Sequence, residues 1–593
     1  MRSAFFGFHV ASSALFTARA NLNVIAHNIA NEGIPGFSRQ VAQSQASMPL
    51  NLRDSRGMYG TGSQVTGIIQ IRDHFLDRMF WNQNSVLGQS VARNNNLSFM
   101  ETVFNDLNNS GVHRSFTDFF ARIQNLTGNA GDATFRTAVI TQANTLAEML
   151  NHNARALQKQ QGDVNREISD TVGIINSLGA QITSLNVQIR IFEQDGSNAN
   201  DLRDQRALLI DQLSELANIS VEEVDFSGPG NPNDRRLSVM LNGYDFVNND
   251  ILNRLAVRPR ESDERRNEMD IPGLYDISFA NGSPFNMYSR TLGGALRGLI
   301  DIRDGNGGFA TEFGPPPANA PLHTNNFAGI PYYMNQLNEM VRTFARAMNE
   351  GRNVRWEEMG GTVGHIYAFD ASGANTQMML FDFIDPNTGL PAVIVEMDAS
   401  VTPPVPVSPN NQGIRRWLTL DANGNLQPEA AFSLTPPANV ARDQHGNPLF
   451  TLCMDGMNAL NFRVNPKLME TGGDQLLATT SDFSNPASAN DVILGWNVVG
   501  TDRSLFREGR LLDFIIATSN RLAVDREQAR RFHASYEEIT TRTHNLRLSI
   551  KDVDVNEEMM NLVRFQTMFT AASRLVNVMD TVYDTLINRL GNV

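Results

Sequence analysis

An apolar repeat of seven residues occurs at both ends of this 593-residue chain. The N-terminal repeat consists of Phe8, Leu15, Leu22 and Ile29, with Ala11, Ala18 and Ile25 offset by three. The C-terminal repeat consists of Val555, Leu562, Phe569, Val576, Tyr583 and Leu590, with Phe565, Ala572, Met579 and Leu586 offset by three. Such a repeat places one narrow apolar stripe along a helix, and that stripe requires a partner helix. We therefore predict that the first and last helices pack against each other as a coiled coil.

The composition excludes several classes of protein. A net charge of −14 and the lack of a basic run argue against nucleic acid as the main partner. The single cysteine, Cys453, excludes an intrachain disulfide and a thiolate metal cluster. No apolar run approaches the roughly 18 residues of a membrane-spanning helix, so we expect no membrane insertion. Because the N-terminal repeat continues to Ile29, we also expect no cleaved leader.

A long helical region is predicted in the first third of the chain. Its helices are expected over residues 1–30, 73–107, 116–126, 134–192 and about 200–217. Asn200 is expected to be the N-cap of the last of these helices. Gly33 and Pro35 should end the first helix. The longest helix has its own repeat of seven, made of Ile168, Ile175, Ile182 and Ile189. This pattern predicts a helical bundle with an apolar core.

The middle of the chain has the composition of β structure and turns. From about 225 to 490 it is rich in Pro, Gly and Asn, which forbids long regular elements locally. Asn242-Gly243 predicts a tight hairpin, and strands are expected over 392–397 and 417–420. One helix is expected over 332–348, and helix returns near Ser504.

The predicted fold class is therefore α+β and multidomain. The terminal helices form a coiled coil, a long helical bundle follows, and β-rich domains are inserted in the middle. We predict a terminal domain of residues 1–72 plus 549–593, a bundle of 73–224 plus 500–548, and one or two β-rich outer domains over 225–499.

The sequence contains no recognisable catalytic motif. Its histidines lack the spacing of a helix-borne metal site, and no phosphate-binding glycine loop or nucleophile elbow occurs. The acidic stretch from Asp301 to Gly308 is interpreted as a surface turn and Cys453 as an inert thiol. We expect no enzyme activity, no cofactor and no metal.

Short motifs at both ends resemble those of a known family. Ala26 to Asn31 reads AHNIAN, and Pro35 to Gln40 reads PGFSRQ. These motifs resemble the N-terminal signature of bacterial flagellar axial proteins of the rod, hook and hook-associated class, although Ile34 stands where that family often has threonine. The stretch from Glu557 to Asn588 is similar to the matching C-terminal signature. The signature residues are Asn28, Ile29, Ala30, Asn31, Gly36, Phe37, Arg39, Asn561, Arg564, Phe565 and Gln566.

An internal motif narrows this resemblance. The sequence NDLRDQRALL at Asn200 to Leu209, the stretch from Ile182 to Ile189, and GGALRGL at Gly293 to Leu299 are similar to the hook–filament junction family, hook-associated protein type one. The matches cover about 1–300 and 500–593. Residues 300–490 match no family that we can name.

The resemblance implies a structural role without catalysis. Copies of the chain would form a ring-like layer of a helical tube, between the hook protein and the second hook-associated junction protein. It also implies type III export with a chaperone, and a location in the flagellum, extracellular or periplasmic if the flagellum is internal. The residues predicted to form the subunit interface are Phe8, Leu15, Leu22, Ile25, Ile29, Leu562, Phe565, Phe569, Val576, Met579, Tyr583 and Leu586.

Two other hypotheses remain open at this point. One is a secreted adhesin that uses residues 225–490 as its binding head on a helical stalk. The other is a hook or rod subunit of the same axial class, although the motif at 200–216 speaks against it.

Overall fold

Two long helices from opposite ends of the chain lie side by side. The computed structural model describes residues 6–51, 58–109, 111–226, 234–308, 326–351, 364–373, 378–384, 391–392, 397–398, 405–406, 415–420, 426–428, 437–440, 450–481 and 489–585. Leu586, Leu590 and most of the strand expected over 392–397 lie outside these residues. So does Asn423-Gly424, a second dipeptide of the kind that predicts a tight turn after the 417–420 strand.

Helices account for most of the described chain. They are α1 (Phe6–Asn31), α2 (His74–Asn109), α3 (Val112–Thr127), α4 (Ala133–Phe192), α5 (Asn200–Leu216), α6 (Gly294–Asp304), α7 (Ile330–Glu350), α8 (Asp491–Thr501), α9 (Leu511–Lys551) and α10 (Val555–Asp584). Together with several small antiparallel sheets, they confirm the predicted α+β fold class with paired terminal helices.

The strands are short and antiparallel. They are β1 (Gln40–Ala46), β2 (Leu50–Asn51), β3 (Met58–Tyr59), β4 (Ser63–Gln70), β5 (Ile219–Asp225), β6 (Arg235–Leu241), β7 (Tyr244–Asn248), β8 (Ile251–Leu252), β9 (Leu255–Pro259), β10 (Tyr275–Phe279), β11 (Phe381–Phe383), β12 (Met397–Asp398), β13 (Val405–Pro406), β14 (Arg415–Leu420), β15 (Leu426–Pro428), β16 (Phe450–Leu452) and β17 (Phe462–Val464). β1 pairs with β4, and β5 to β8 form a four-stranded sheet in chain order.

Helix α4, with 60 residues, is the longest element of the described chain. It begins where the Asp132 side chain accepts a hydrogen bond from the Thr134 amide at 2.7 Å, which satisfies one of the free donors of the first turn. Its predicted apolar repeat is buried, because Ile168, Ile175 and Ile182 are each 0% exposed. The β5–β8 sheet packs on this helix and is joined by a hairpin at Asn242-Gly243, where both residues have positive φ, 53° and 82°, as a type I′ turn requires.

The region between α6 and α9 shares its core with α3 and α4. Phe344 of α7 lies 5.0 Å from Phe116 of α3 and 5.1 Å from Phe381 of β11, measured between ring centroids. The Trp496 indole of α8 donates to the Met348 carbonyl at 3.1 Å. The helix α8 was not predicted, and the division into three domains stays a prediction.

Two local predictions are wrong. Asp301 and Asp304 do not lie in a surface turn, because they form the last turn of α6 and are 0% and 4% exposed. Arg303 and Arg260 pair with Asp304 there, and each arginine has an Nη2 atom within 2.9 Å of Asp304 Oδ2. Asn200 is not a cap, because it is the first residue of α5 and its side chain donates to Gln40 instead.

Candidate functional site: the terminal helix pair and the polar cluster at its base

Helices α1 and α10, here called the terminal helix pair, run antiparallel. At one end the rings of Phe8 and Tyr583 lie 6.3 Å apart between centroids. At the other end, just after α1, the Arg39 side chain reaches Glu557 and Glu558 in the first turn of α10. The two ends of the chain therefore meet along nearly the whole length of both helices.

The predicted seam lies between the two helices. Ala11, Ala18 and Ile25 are 0%, 1% and 5% exposed, and alanines at these positions let the helix axes approach closely. Ala572 and Tyr583 are also buried. The remaining predicted interface residues are half-buried, except that Phe8 is 37% exposed; these half-buried residues are Leu15, Leu22, Ile29, Leu562, Phe565, Phe569, Val576 and Met579. Within one chain these residues face the partner helix, and contact with other copies stays a prediction.

The N-terminal signature forms the turn that connects α1 to β1. The Asn28 side chain donates to the Gln40 carbonyl at 2.9 Å and accepts from the Gln40 amide at 3.0 Å. The Asn31 amide group donates to the His27 carbonyl at 2.8 Å. Gly36 has φ 88°, a conformation that favours glycine. These contacts set the direction of the chain as it leaves the helix.

The internal motif is the surface on which this turn docks. Asp204 of α5 accepts from the Ser38 amide at 2.9 Å and from its hydroxyl at 2.6 Å. Asp201 accepts from the Gln40 side chain at 2.7 Å, and Leu208 lies against Gly36. The two motifs are therefore in direct contact, although the residues joined by these bonds are 166 and 161 positions apart in sequence.

Arg39 connects the same turn to the C-terminal helices. Its Nε donates to Glu558 at 2.7 Å and its Nη2 to Glu557 at 2.8 Å. Its backbone amide donates to the carbonyl of Lys551, the last residue of α9, at 2.7 Å. Arg39 thus holds α10 at a fixed angle where it leaves α9.

A group of buried charges continues inward from Arg39. We define the six residues Arg72, Asp77, Asp204, Asp211, Arg547 and Lys551 as the inner charges, and these together with the residues of the preceding three paragraphs as the base cluster. Arg547 lies 2.8 Å from Asp77 and 3.0 Å from Asp211. Arg72 lies 3.1 Å from Asp77. Three cations face three carboxylates, so the group is balanced in charge although it is taken from water.

Burial and pairing shift these groups in different directions. Burial acts to raise the pKa of Asp77, but the attraction of Arg72 and Arg547 outweighs it and holds that pKa below its ordinary value. The pKa of Asp204 is raised, chiefly by burial. Burial and the nearby Arg72 and Arg547 lower the pKa of Lys551. Each shift reflects a charge that can stay buried only with its partner in place.

The C-terminal signature residues Asn561, Arg564, Phe565 and Gln566 are not part of this cluster, although Glu557 and Glu558 at the start of the same stretch are. Arg564 and Gln566 are exposed on α10, and Asn561 is half-buried. Ala30 is exposed on α1. Only Phe565, in the seam, contributes to the pair.

The sequence does not predict the contacts of the inner charges or the ion pair of Arg39 with Glu558, although Arg39 itself is a signature residue. The bonds join residues that are up to 519 positions apart, and no local pattern pairs such residues. In the part of the chain that the structure describes, no group of three or more His, Cys, Asp and Glu is placed to hold a metal ion. No described helix is long and apolar enough to span a bilayer.

The chain is similar in sequence to known proteins along its whole length. The family model described as flagellar hook-associated protein FlgK helical domain matches residues 97–358. Flagellar hook-associated protein 1 of Bacillus subtilis (strain 168) is 25% identical over 100% of this chain and 99% of its own. Its counterpart in Escherichia coli (strain K12) is 24% identical over 98% of both chains. The flagellar hook junction protein FlgK from Burkholderia pseudomallei has a structure with TM-score 0.47 and 16% identity, which covers 79% of this chain and 100% of that chain. Relatives that match over nearly their whole length bear one name, so this chain is similar along its full length to flagellar hook-associated protein 1.

Proposed function

We propose that this chain is a structural subunit of the bacterial flagellum that forms the junction between hook and filament. The observation that carries the proposal is the match to hook-associated protein 1 over the full length of the chain. The antiparallel terminal helix pair supports it, because a long two-helix rod at the end of a molecule is suited to lengthwise packing with neighbours. This full-length likeness favours the junction subunit over the adhesin and over a hook or rod subunit.

Self-assembly proceeds through the terminal helix pair. The seam residues hold α1 on α10, so that each copy presents the pair as one unit. Large apolar side chains remain on the outside of α10, including Met560 at 67% and Val563 at 61% exposure. Exposed apolar surface of this kind marks a place of association. The copies form a layer of the flagellar tube, and the β-rich part lies away from the pair.

The partners are axial proteins on both sides of this layer. The hook protein lies below it and the second hook-associated junction protein lies above it. The chain reaches this position by type III export with a chaperone, and it is located in the flagellum, extracellular or periplasmic if the flagellum is internal.

The proposal is tested by deletion of the gene and complementation with this chain. We expect the deletion strain to make hooks without filaments, and the restored strain to carry a band of immunogold label between hook and filament. Normal filaments in the deletion strain, or label away from the hook end, would contradict the proposed function.

A further inference from the structure

Helix α10 carries a second apolar stripe in addition to the seam. We define it as the outer stripe, and its members are Met568, Ala571, Leu575, Val578 and Val582. The four larger side chains are 47%, 44%, 57% and 45% exposed, in chain order. Met568, Leu575 and Val582 each precede a seam residue by one position and repeat every seven residues. A second heptad stripe requires a second helix that runs along it.

The helix that fills the seam cannot also cover the outer stripe. α1 is fully engaged with the seam at Ala11, Ala18 and Ile25, which are all buried. The hairpin of β1 and β4 covers one side of α1, where Thr17 lies 3.0 Å from Ser63 between their hydroxyl oxygens. The outer stripe lies on the same flank of the pair as this hairpin. Thr17 follows the seam residue Leu15 by two positions, as Val578 follows Val576, and in an antiparallel pair equivalent heptad positions of the two helices lie on the same flank.

The opposite flank of the pair presents a complementary row on α1. It consists of Ser12, Phe16, Arg19, Asn23 and Ala26. Phe16 is 64% exposed and is the large apolar side chain of this row, while Ser12 and Ala26 are small enough for close helix approach. Phe16 and Leu575 lie at the same level along the axis of the pair. Phe8 contacts Tyr583, Phe16 is eight residues after Phe8 on α1, and Leu575 is eight residues before Tyr583 on the antiparallel helix α10.

We propose that the outer stripe of one copy receives the Phe16 row of α1 from the next copy. The two surfaces lie on opposite flanks of one helix pair, so the contact is head-to-tail and leads to a ring or a helical layer instead of a closed dimer. This inference rests on the proposed function and adds which face of α10 joins which face of its neighbour.

Cross-linking at the hook end tests the contact. In a Cys453→Ser background, Phe16→Cys is combined with Leu575→Cys, isolated hooks that carry the protein are oxidised, and the products are separated without reductant. We expect a ladder of dimers, trimers and larger species. The matched control combines Phe16→Cys with Asn577→Cys and should give at least tenfold less product. Asn577 is exposed, and it lies about 160° around the helix from Leu575.

Other outcomes overturn the inference. Dimers from Leu575→Cys alone would place α10 against α10. No product from Phe16→Cys with cysteine at 571, 575 or 578, although the protein is present at the hook end, would exclude the Phe16 row. Absence of the parent protein from hook ends would instead contradict the proposed function, so the two failures are distinguishable.

A second variant separates assembly from folding and export. Leu575→Gln should leave helicity by circular dichroism and the secreted amount unchanged, because the side chain is 44% exposed. Its retention at hook ends should fall at least tenfold. Retention equal to that of the parent, or loss of export with the protein held in the cell, would assign the stripe to no partner or to an export partner and overturn the inference.

Discussion

The bond between Arg39 and Glu558 gives a sharp test of how the terminal helix pair is held. Arg39→Met removes the charge and its hydrogen bonds with little change in side-chain length. Glu558 is 3% exposed and Arg39 is 19% exposed, whereas Glu557 is 50% exposed. Removal of one partner from a buried ion pair costs about 3–5 kcal/mol, and the exposed Glu557 pair adds at most about 1 kcal/mol. Because Arg39 retains some contact with water, we take about 3 kcal/mol as the expected loss.

This loss should appear locally. Each 1.4 kcal/mol changes an equilibrium tenfold, so about 3 kcal/mol raises the opening equilibrium of α10 about 100-fold. Hydrogen exchange with mass spectrometry measures it on peptides from the first turns of α10. Peptides from α4 should keep their protection, because Arg39 does not contact that helix.

The matched control is Arg564→Met, which removes an exposed arginine from the same helix. Its guanidinium lies 5.8 Å from the Phe565 ring centroid, so we expect less than a threefold change in exchange. Unchanged exchange of α10 in Arg39→Met, or equal acceleration in α4, would refute the idea that Arg39 holds the terminal helix pair as a separate unit.

Three further predictions concern other parts of the chain. Leu22→Asp should leave the bundle folded but block incorporation at hook ends, since it places a charge in the seam; hook ends that still carry the variant would contradict the seam argument. His365 donates to the Met378 carbonyl at 2.6 Å and accepts from the Ala478 amide at 3.1 Å, and burial lowers its pKa from 6.5 to about 4. The unfolded chain then binds a proton that the folded chain does not, so the free energy of unfolding decreases as the pH falls below about 6.5, by about 2 kcal/mol between pH 7.5 and 5. In denaturant unfolding, His365→Gln should lose this dependence of the free energy of unfolding on pH. An unchanged dependence would exclude His365 as its source. Replacement of residues 385–449 by a short linker should preserve the melting of the bundle and assembly, and loss of either would show that this part supports the core.

The pairing of the chain ends was predictable because it depends on a periodic pattern. Seven-residue spacing fixes which face of a helix is apolar. Two helices that each have such a face and no other partner are predicted to pack against each other. The same argument explains why Ile168 and Ile182 of α4 were correctly placed in a core. It considers one stripe per helix, however, so Leu575 and Val578 of the outer stripe received no role.

Contacts between polar residues were not predictable in the same way. Asp204 and Arg547 show no periodicity, and their partners are set by how α2, α5 and α9 cross. The end of α6 shows the reverse error, because Asp301 and Asp304 next to glycines are typical of an exposed turn. Their burial depends on arginines from other elements, and a single sequence does not show which arginine will be near.

The long separation in sequence between α1 and α10 indicates that the terminal helix pair forms after the bundle. Direct closure of the loop between Arg39 and Glu558, which are 519 residues apart, costs about 5–6 kcal/mol of chain entropy. Once α2, α5 and α9 are packed, Ser38 is bound to Asp204 and the Arg39 amide lies on the Lys551 carbonyl. The remaining closure then spans only the seven residues from Lys551 to Glu558 and costs about 2 kcal/mol.

The base cluster therefore lowers the entropic cost of pairing α1 with α10 by about 4 kcal/mol. The pair should form after the bundle and open before it, since its main attachments are the seam, the β1–β4 hairpin and the base cluster. A neighbouring copy that binds the closed pair better than the open pair stabilises the closed pair by that difference in affinity. A unit that opens easily therefore gains the most closed population from binding. Under the proposed function, the outer stripe on α10 and the late closure of the pair let a copy of the chain complete its fold as it joins the layer.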